Sequence, residues 1–191
     1  MRRPKAWLSF GQETMLSRVV RLVGEVVGPV VVVAAPGQDL PELPKAVRIV
    51  RDPIEERGPL QAIATGLAAL DGVELVYATA TDMPFLRPGW IERLVSLVKG
   101  FELALPQVGE HLHPLAAIYR RDAAIPIAMT LLEQDRLRPS HLADQLRTRY
   151  VGIDDVKDVD PELASLRNLN SPEDYREALR VAGLADELGQ R

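Results

Sequence analysis

Apolar positions along the chain follow two alternating rhythms, one helical and one extended. Leu16, Val19, Val20, Val23 and Val27 recur at helical spacing, which predicts an amphipathic helix ended by Gly28-Pro29. The β-branched run Val30 to Ala34 then predicts a strand buried on both faces of a parallel sheet. Val47 to Val50 reads as a second short strand. Gly58-Pro59 opens a helix with Leu60, Ile63, Ala64 and Leu67 inward, since proline suits the first helical position. Leu75 to Ala80 is a third strand, and Pro88 opens a helix that turns Ile91, Leu94, Val95 and Val98 inward. Leu103 to Leu105 and Leu115 to Tyr119 read as strands. Residues 123–134 and 139–147 read as helices, with Pro126 kinking the first or marking its start. Arg149 to Ile153 reads as a last strand. Ser171-Pro172-Glu173-Asp174 is a helix start, and that helix is expected to run to near Leu188.

Alternating strand and helix patterns without repeats or linkers predict an α/β architecture: one domain over residues 1–191, in three layers, with a mostly parallel sheet. Ligands of such sheets sit outside the carboxyl ends of the strands. The residues that follow each strand therefore become the candidates for chemistry.

Composition narrows the classes. The chain has 191 residues, a net charge of −4 and no basic stripe of the kind a duplex nucleic-acid binder carries. It contains no cysteine, which excludes disulfides, thiolate zinc sites and cysteine nucleophiles. The longest apolar run, Val26 to Ala35, is broken by Gly28 and Pro29 and falls far short of the ~20 residues that span a bilayer. No apolar segment follows the basic start Arg2-Arg3-Pro4-Lys5, so no signal peptide is read there. The expectation is a cytoplasmic protein that engages neither nucleic acid nor membrane.

Two strand ends carry aspartates: Asp52 after the second strand and Asp82 after the third. A carboxylate there can hold Mg²⁺ together with substrate phosphates, or bond its own turn. Gly58 precedes a helix N-terminus, where free N–H groups attract anions. By themselves Lys5 reads as a solvated charge, His113 as a loop histidine, and Asn168 and Asn170 as ordinary loop residues. Asp154, Asp155, Asp158 and Asp160 lack the spacing of an EF-hand and read as a solvated acidic loop.

Taken in order, five segments resemble the nucleotidyltransferases related to the molybdenum cofactor guanylyltransferases. They are Pro4-Lys5-Ala6 with Leu8 to Gly11, then Arg51-Asp52 with Arg57-Gly58-Pro59-Leu60, and Thr81-Asp82-Met83-Pro84-Phe85. His113-Pro114-Leu115 to Tyr119 and Asn168-Leu169-Asn170-Ser171-Pro172 to Tyr175 complete the set. The resemblance implies a Rossmann-like nucleotidyltransferase fold. It implies transfer of GMP from GTP to the molybdopterin cofactor, with release of pyrophosphate. It also implies that Lys5 contacts the nucleotide phosphates and that Asp82 holds Mg²⁺. Asp52 and the backbone of Gly58, Pro59 and Leu60 would hold the nucleoside, and His113, Asn168 and Asn170 would lie on the pterin side. Protein partners in cofactor delivery are compatible with this reading.

The chain departs from the family pattern in three places. The first strand and the glycine-rich phosphate loop that precede the family's lysine have no counterpart here; Met1 and Arg2 align with the loop's last residues. That strand ordinarily lies in the middle of the sheet, so the expectation is a native start upstream. Gln61-Ala62 replaces the usual x-Gly after Pro-Leu, and Ala34-Ala35 stands where some members place asparagine. Two rival functions follow: a cytidylyltransferase using CTP on the same cofactor, and a degenerate nucleotide-fold protein that catalyses nothing.

Overall fold

The structure, a computed structural model, describes residues 4–54 and 57–184. The readings of Met1 and Arg2, and of the final helix beyond residue 184, lie outside the described residues. A short 3-10 turn, Lys5–Trp7, leads into a hairpin of β1 (Ser9–Phe10) and β2 (Glu13–Thr14). Helix α1 (Met15–Gly24) follows at once, capped by the Thr14 hydroxyl, which accepts from Ser17 N–H. Strands β3 (Val31–Ala34) and β4 (Arg48–Arg51) pair in parallel as a small sheet.

Helix α2 (Gly58–Ala68) then leads to β5 (Leu75–Thr79), and α3 (Pro88–Leu97) to β6 (Leu103–Val108). After β7 (His111–Leu112) come β8 (Ala116–Arg120), α4 (Arg121–Glu133) and α5 (Ser140–Ala143). Strand β9 (Thr148–Val151), α6 (Ile153–Val156) and α7 (Pro172–Val181) complete the order. The larger sheet runs β5-β8-β6, with β7 and β9 also on β6. Strand β6 pairs with β9 in parallel, while β8 is inserted antiparallel between β5 and β6.

Strand alternation divides the core into two layers around this sheet. Leu103, Leu105, Ala117 and Tyr119 face α2, α4 and α5. Ala104, Ile118 and Val151 face α1 and α3, where Trp90, Ile91 and Leu94 are buried. The three-layer α/β arrangement is the one the sequence pattern predicts.

Four local expectations change. The strand from Val31 was expected to be buried on both faces, yet Val31, Val32 and Val33 are only half-buried and Ala34 alone is buried. The reason is an open slot between β3 and β5, which belong to separate sheets. Helix α4 begins five residues before Pro126, which sits inside it. The helix expected at 139–147 shrinks to α5, because Glu102 N–H bonds Arg147 C=O and its carboxylate accepts Arg147 N–H, drawing that segment into β9. The acidic loop is solvated only in part: Asp154 and Asp158 are exposed, whereas Asp155 and Asp160 are structural. Asp160 is fully buried, accepts the N–H groups of Ala164 and Ser165 at 2.9 and 2.8 Å, and pairs with Arg87. Asp155 accepts Gly152 N–H at the start of α6 and the Arg149 guanidinium.

No helix among the described residues is long and apolar enough to cross a membrane.

Candidate active site

The end of β5, the turn at Lys5 and the loop before α7 meet at the candidate site, and the expected nucleoside residues stand at the end of β4 and the start of α2. Lys5 is fixed by a turn in which Trp7 and Leu8 N–H groups bond the Pro4 and Lys5 carbonyls, with Ala6 buried against α1. From there the Lys5 ammonium donates to Asp82 Oδ2 at 2.6 Å and to Asn170 Oδ1 at 2.9 Å. Asp82 leaves β5 and is followed by the buried pair Met83-Pro84. Its backbone C=O accepts Leu169 N–H at 3.0 Å, so the Asn168–Asn170 loop is bolted to the strand end. Buried Leu169 anchors that loop in the cluster of Leu8, Phe10, Met15 and Leu179. Helix α7 secures its other end, where Ser171 and Asp174 form a capping box and Asp174 also accepts Asn170 N–H.

Asp82 Oδ1 is buried and has no hydrogen-bond partner. A buried carboxylate oxygen without a partner is costly unless a ligand satisfies it. No cluster of three or more His, Asp or Glu side chains able to hold a metal occurs among the described residues. Asp82 offers a single carboxylate, the kind of donor that suits a hard cation keeping its water and taking further ligands from phosphates.

Asp52 lies beyond β4, with its N–H on Ala34 C=O. Its Oδ1 accepts the Thr65 hydroxyl at 2.7 Å, and Thr65 Oγ1 in turn accepts Gln61 Nε2 at 3.3 Å. Gln61, a departure from the family pattern, is thus the buried start of a relay that aims Asp52. Spacing by four residues on one helix is the signal that could have exposed Gln61 and Thr65. Gly58 has φ +71°, a conformation that favours glycine, and Pro59 and Leu60 follow it into α2. Arg57 holds this turn by donating to Leu132 C=O and Asp135.

The remaining expected residues make no hydrogen bond to the lysine. Asn168 is exposed on the docked loop. His113 is half-buried between β7 and β8, its N–H on Pro106 C=O, and it makes no hydrogen bond to Lys5, Asp82 or Asn170. Burial, then the neighbouring His111, hold its imidazole below the ordinary value, so it is neutral at pH 7. A further feature escapes motif reading. Phe10 and Phe85 meet edge to face at 5.7 Å, with Arg18 over Phe10 and Arg167 over Phe85. Arg18 also donates to Pro84 C=O at 2.8 Å. This stack ties the hairpin, α1 and the loop beyond Asp82 together.

A lysine, a partly unsatisfied carboxylate and an asparagine thus meet near the carboxyl end of β5 in an α/β fold. Comparison with known proteins gives the family. The model of the MobA-like NTP transferase domain matches residues 1–148, and the chain belongs to that family. It is 38% identical over 170 residues to a probable molybdenum cofactor guanylyltransferase of Mycobacterium avium, covering 87% of this chain and 81% of that one. A Mycobacterium tuberculosis protein of the same description is 42% identical over 130 residues, 65% of this chain and 63% of that one. Among solved structures, molybdopterin-guanine dinucleotide biosynthesis protein A of Archaeoglobus fulgidus superposes with a TM-score of 0.76 at 18% identity, over 94% and 90% of the two chains. A Thermus thermophilus 2-C-methyl-D-erythritol 4-phosphate cytidylyltransferase gives 0.70 at 18% identity, over 94% of each chain. The chain is a nucleotidyltransferase of molybdenum cofactor biosynthesis.

Proposed function

We propose that the chain transfers GMP from GTP to the terminal phosphate of the molybdopterin cofactor and releases pyrophosphate. The observation that carries this reading is the convergence of Lys5, Asp82 and Asn170, three side chains from distant segments, at the carboxyl end of β5. An oxygen of the pterin phosphate attacks the α-phosphorus of GTP. The bond from that phosphorus to the bridging oxygen breaks, and the electron pair leaves with pyrophosphate. Little covalent chemistry is asked of the protein, so positioning and charge stabilisation supply the acceleration.

In this reading Lys5 trades its contact with Asp82 for the nucleotide phosphates and neutralises charge that develops on them. Asp82 Oδ1 is the group to hold Mg²⁺, which would add Lewis-acid polarisation of the phosphate oxygens. A Mycobacterium tuberculosis relative in fold, with a TM-score of 0.61 at 12% identity, was solved as a complex with manganese. Asp52, aimed by Thr65, and the backbone at Gly58, Pro59 and Leu60 take the nucleoside. Asn170 orients the lysine, and Asn168 and neutral His113 face the pterin. Support for GTP comes from the guanylyltransferase relatives and from Arg57-Gly58-Pro59-Leu60 at the start of α2.

The test is pyrophosphate release with molybdopterin and Mg²⁺, run in parallel with GTP, CTP and UTP. Turnover with GTP alone supports the reading. Preference for CTP assigns the cytidylyl branch instead, and no turnover with any of them sinks the proposal.

A further inference from the structure

Lys5 and Asp82 neutralise each other but leave the pair incomplete. The lysine ammonium donates to Asp82 Oδ2 at 2.6 Å and to Asn170 Oδ1 at 2.9 Å. Oδ1 of the same aspartate is buried and bonds nothing. A lasting structural ion pair satisfies its buried oxygens, because an acceptor without a donor carries its full desolvation cost. The Asp82 carboxylate is thus paired with a counter-ion that serves one of its oxygens only.

Lys5 is also the partner able to leave. Its side chain is 37% accessible and ends a flexible four-carbon stem. The Asp82 side chain is 13% accessible, and its backbone C=O is bonded by Leu169 N–H. The arginines of the neighbouring segments are engaged elsewhere. Arg18 donates to Pro84 C=O and lies over Phe10, and Arg167 lies over Phe85.

We propose that Lys5 is a resident counter-ion that keeps divalent cations off Asp82 in the nucleotide-free protein, so that cation and triphosphate load together. The inference rests on the reading of Asp82 as the metal carboxylate. An ammonium and a doubly charged cation on one carboxylate repel each other. Among the described residues no cluster of three or more His, Asp or Glu side chains offers the cation another place. A bare cation must therefore displace Lys5 and leave its ammonium without a carboxylate. Its apparent affinity is reduced to the small fraction of molecules in which Asp82 is free. A triphosphate reverses this balance. Its charges draw the ammonium from Asp82, and its oxygens give the cation further ligands. Such coupling is reciprocal, so nucleotide tightens the cation by the factor by which the cation tightens nucleotide. Asn170 sets the strength of the hold, because it keeps the ammonium at Oδ2 while nucleotide is absent. Lys5 thereby acts on the resting protein, before any phosphate is in place to be stabilised.

The test uses Mn²⁺ as the probe, titrated against the nucleotide-free protein by electron paramagnetic resonance. Lys5→Met keeps much of the side-chain length and removes the charge. It is expected to bind Mn²⁺ more tightly than the unaltered protein by on the order of 10-fold or more, within the usual range of coupling between sites. Lys5→Met combined with Asp82→Asn is expected to lose that gain. Equal or weaker binding by Lys5→Met overturns the proposal. So does a gain that survives in the double variant, because the cation then sits elsewhere. Asn170→Ala gives a second readout with Lys5 in place. Loss of one acceptor of the ammonium is expected to tighten Mn²⁺ several-fold, and unchanged or weaker binding there also overturns the proposal. Thermal unfolding without metal verifies that each compared variant is folded. Neither nucleotide nor pterin enters these titrations. A preference for CTP, or no pyrophosphate release, would sink the proposed reaction and leave this result standing, and failure here leaves the choice of nucleotide untouched.

Discussion

Lys5 Nζ sits 2.6 Å from Asp82 Oδ2, although 77 positions separate the two residues. The pair is partly exposed, with 37% of the lysine side chain and 13% of the aspartate side chain accessible. Ion pairs of that exposure stabilise a fold by about 0–1 kcal/mol. Lys5→Ala and Asp82→Asn are therefore expected to shift Tm little. Each is expected to lower kcat by about 10²–10³-fold, the usual loss when one preorganised charge is removed. Unfolding curves beside pyrophosphate-release rates check both statements. A large Tm loss with intact rate would assign the pair to structure.

Asp52 depends on Thr65, and Thr65 on Gln61. Thr65→Val removes the donor to Asp52 and is expected to raise KM for GTP several-fold while kcat changes less. Its stability cost is about 1 kcal/mol for one part-buried hydrogen bond. Thr65→Ser keeps the hydroxyl and should retain most of the affinity. Steady-state kinetics of the two variants separate loss of the bond from loss of the methyl group.

The loop that carries Asn170 is held by the start of α7. Ser171→Ala removes its N-cap and is expected to cost about 1 kcal/mol in denaturant unfolding. It should also loosen Asn170 against Lys5 and lower activity. The same cap has a pH signature. Backbone N–H of Ser171, then its hydroxyl, then Asn170 N–H hold the Asp174 carboxyl below its ordinary value. A carboxyl depressed on folding contributes stability above its unfolded value and loses it as pH falls through the folded one. Asp174→Asn should therefore flatten the acid limb of the stability profile below about pH 4 and leave the neutral limb's slope unchanged.

Buried Asp160 closes the turn at Ala164 and Ser165. Asp160→Ala leaves two N–H groups without their acceptor and is expected to cost about 3 kcal/mol. Chemical denaturation measures it. A loss below about 1 kcal/mol would mean that water replaces the carboxylate.

Sequence patterns gave the layers and most elements, because helical and strand periods were both well marked in residues 16–119. That Asp82 follows a strand end was legible from the pattern, whereas only the family resemblance singled out Lys5 and Asn170, which the structure brings to it. What was not legible was long-range pairing. Nothing near Asp160 in the chain announces Arg87, and nothing in the valine run announces an open edge beside it. The arginines over Phe10 and Phe85 belong to segments about 150 positions apart, and no local period reports such a stack.

The hydrogen bond from Leu169 N–H to Asp82 C=O has a practical consequence for anyone trimming this molecule. The recognised family region ends at residue 148, yet one of the two side chains that bond the lysine comes from residue 170. A fragment cut at that boundary would keep the sheet's parallel strand only in part and would present its ammonium and carboxylate with one wall gone. The structural unit that holds Lys5 thus extends past the recognisable one, through the loop at 168–170 and α7.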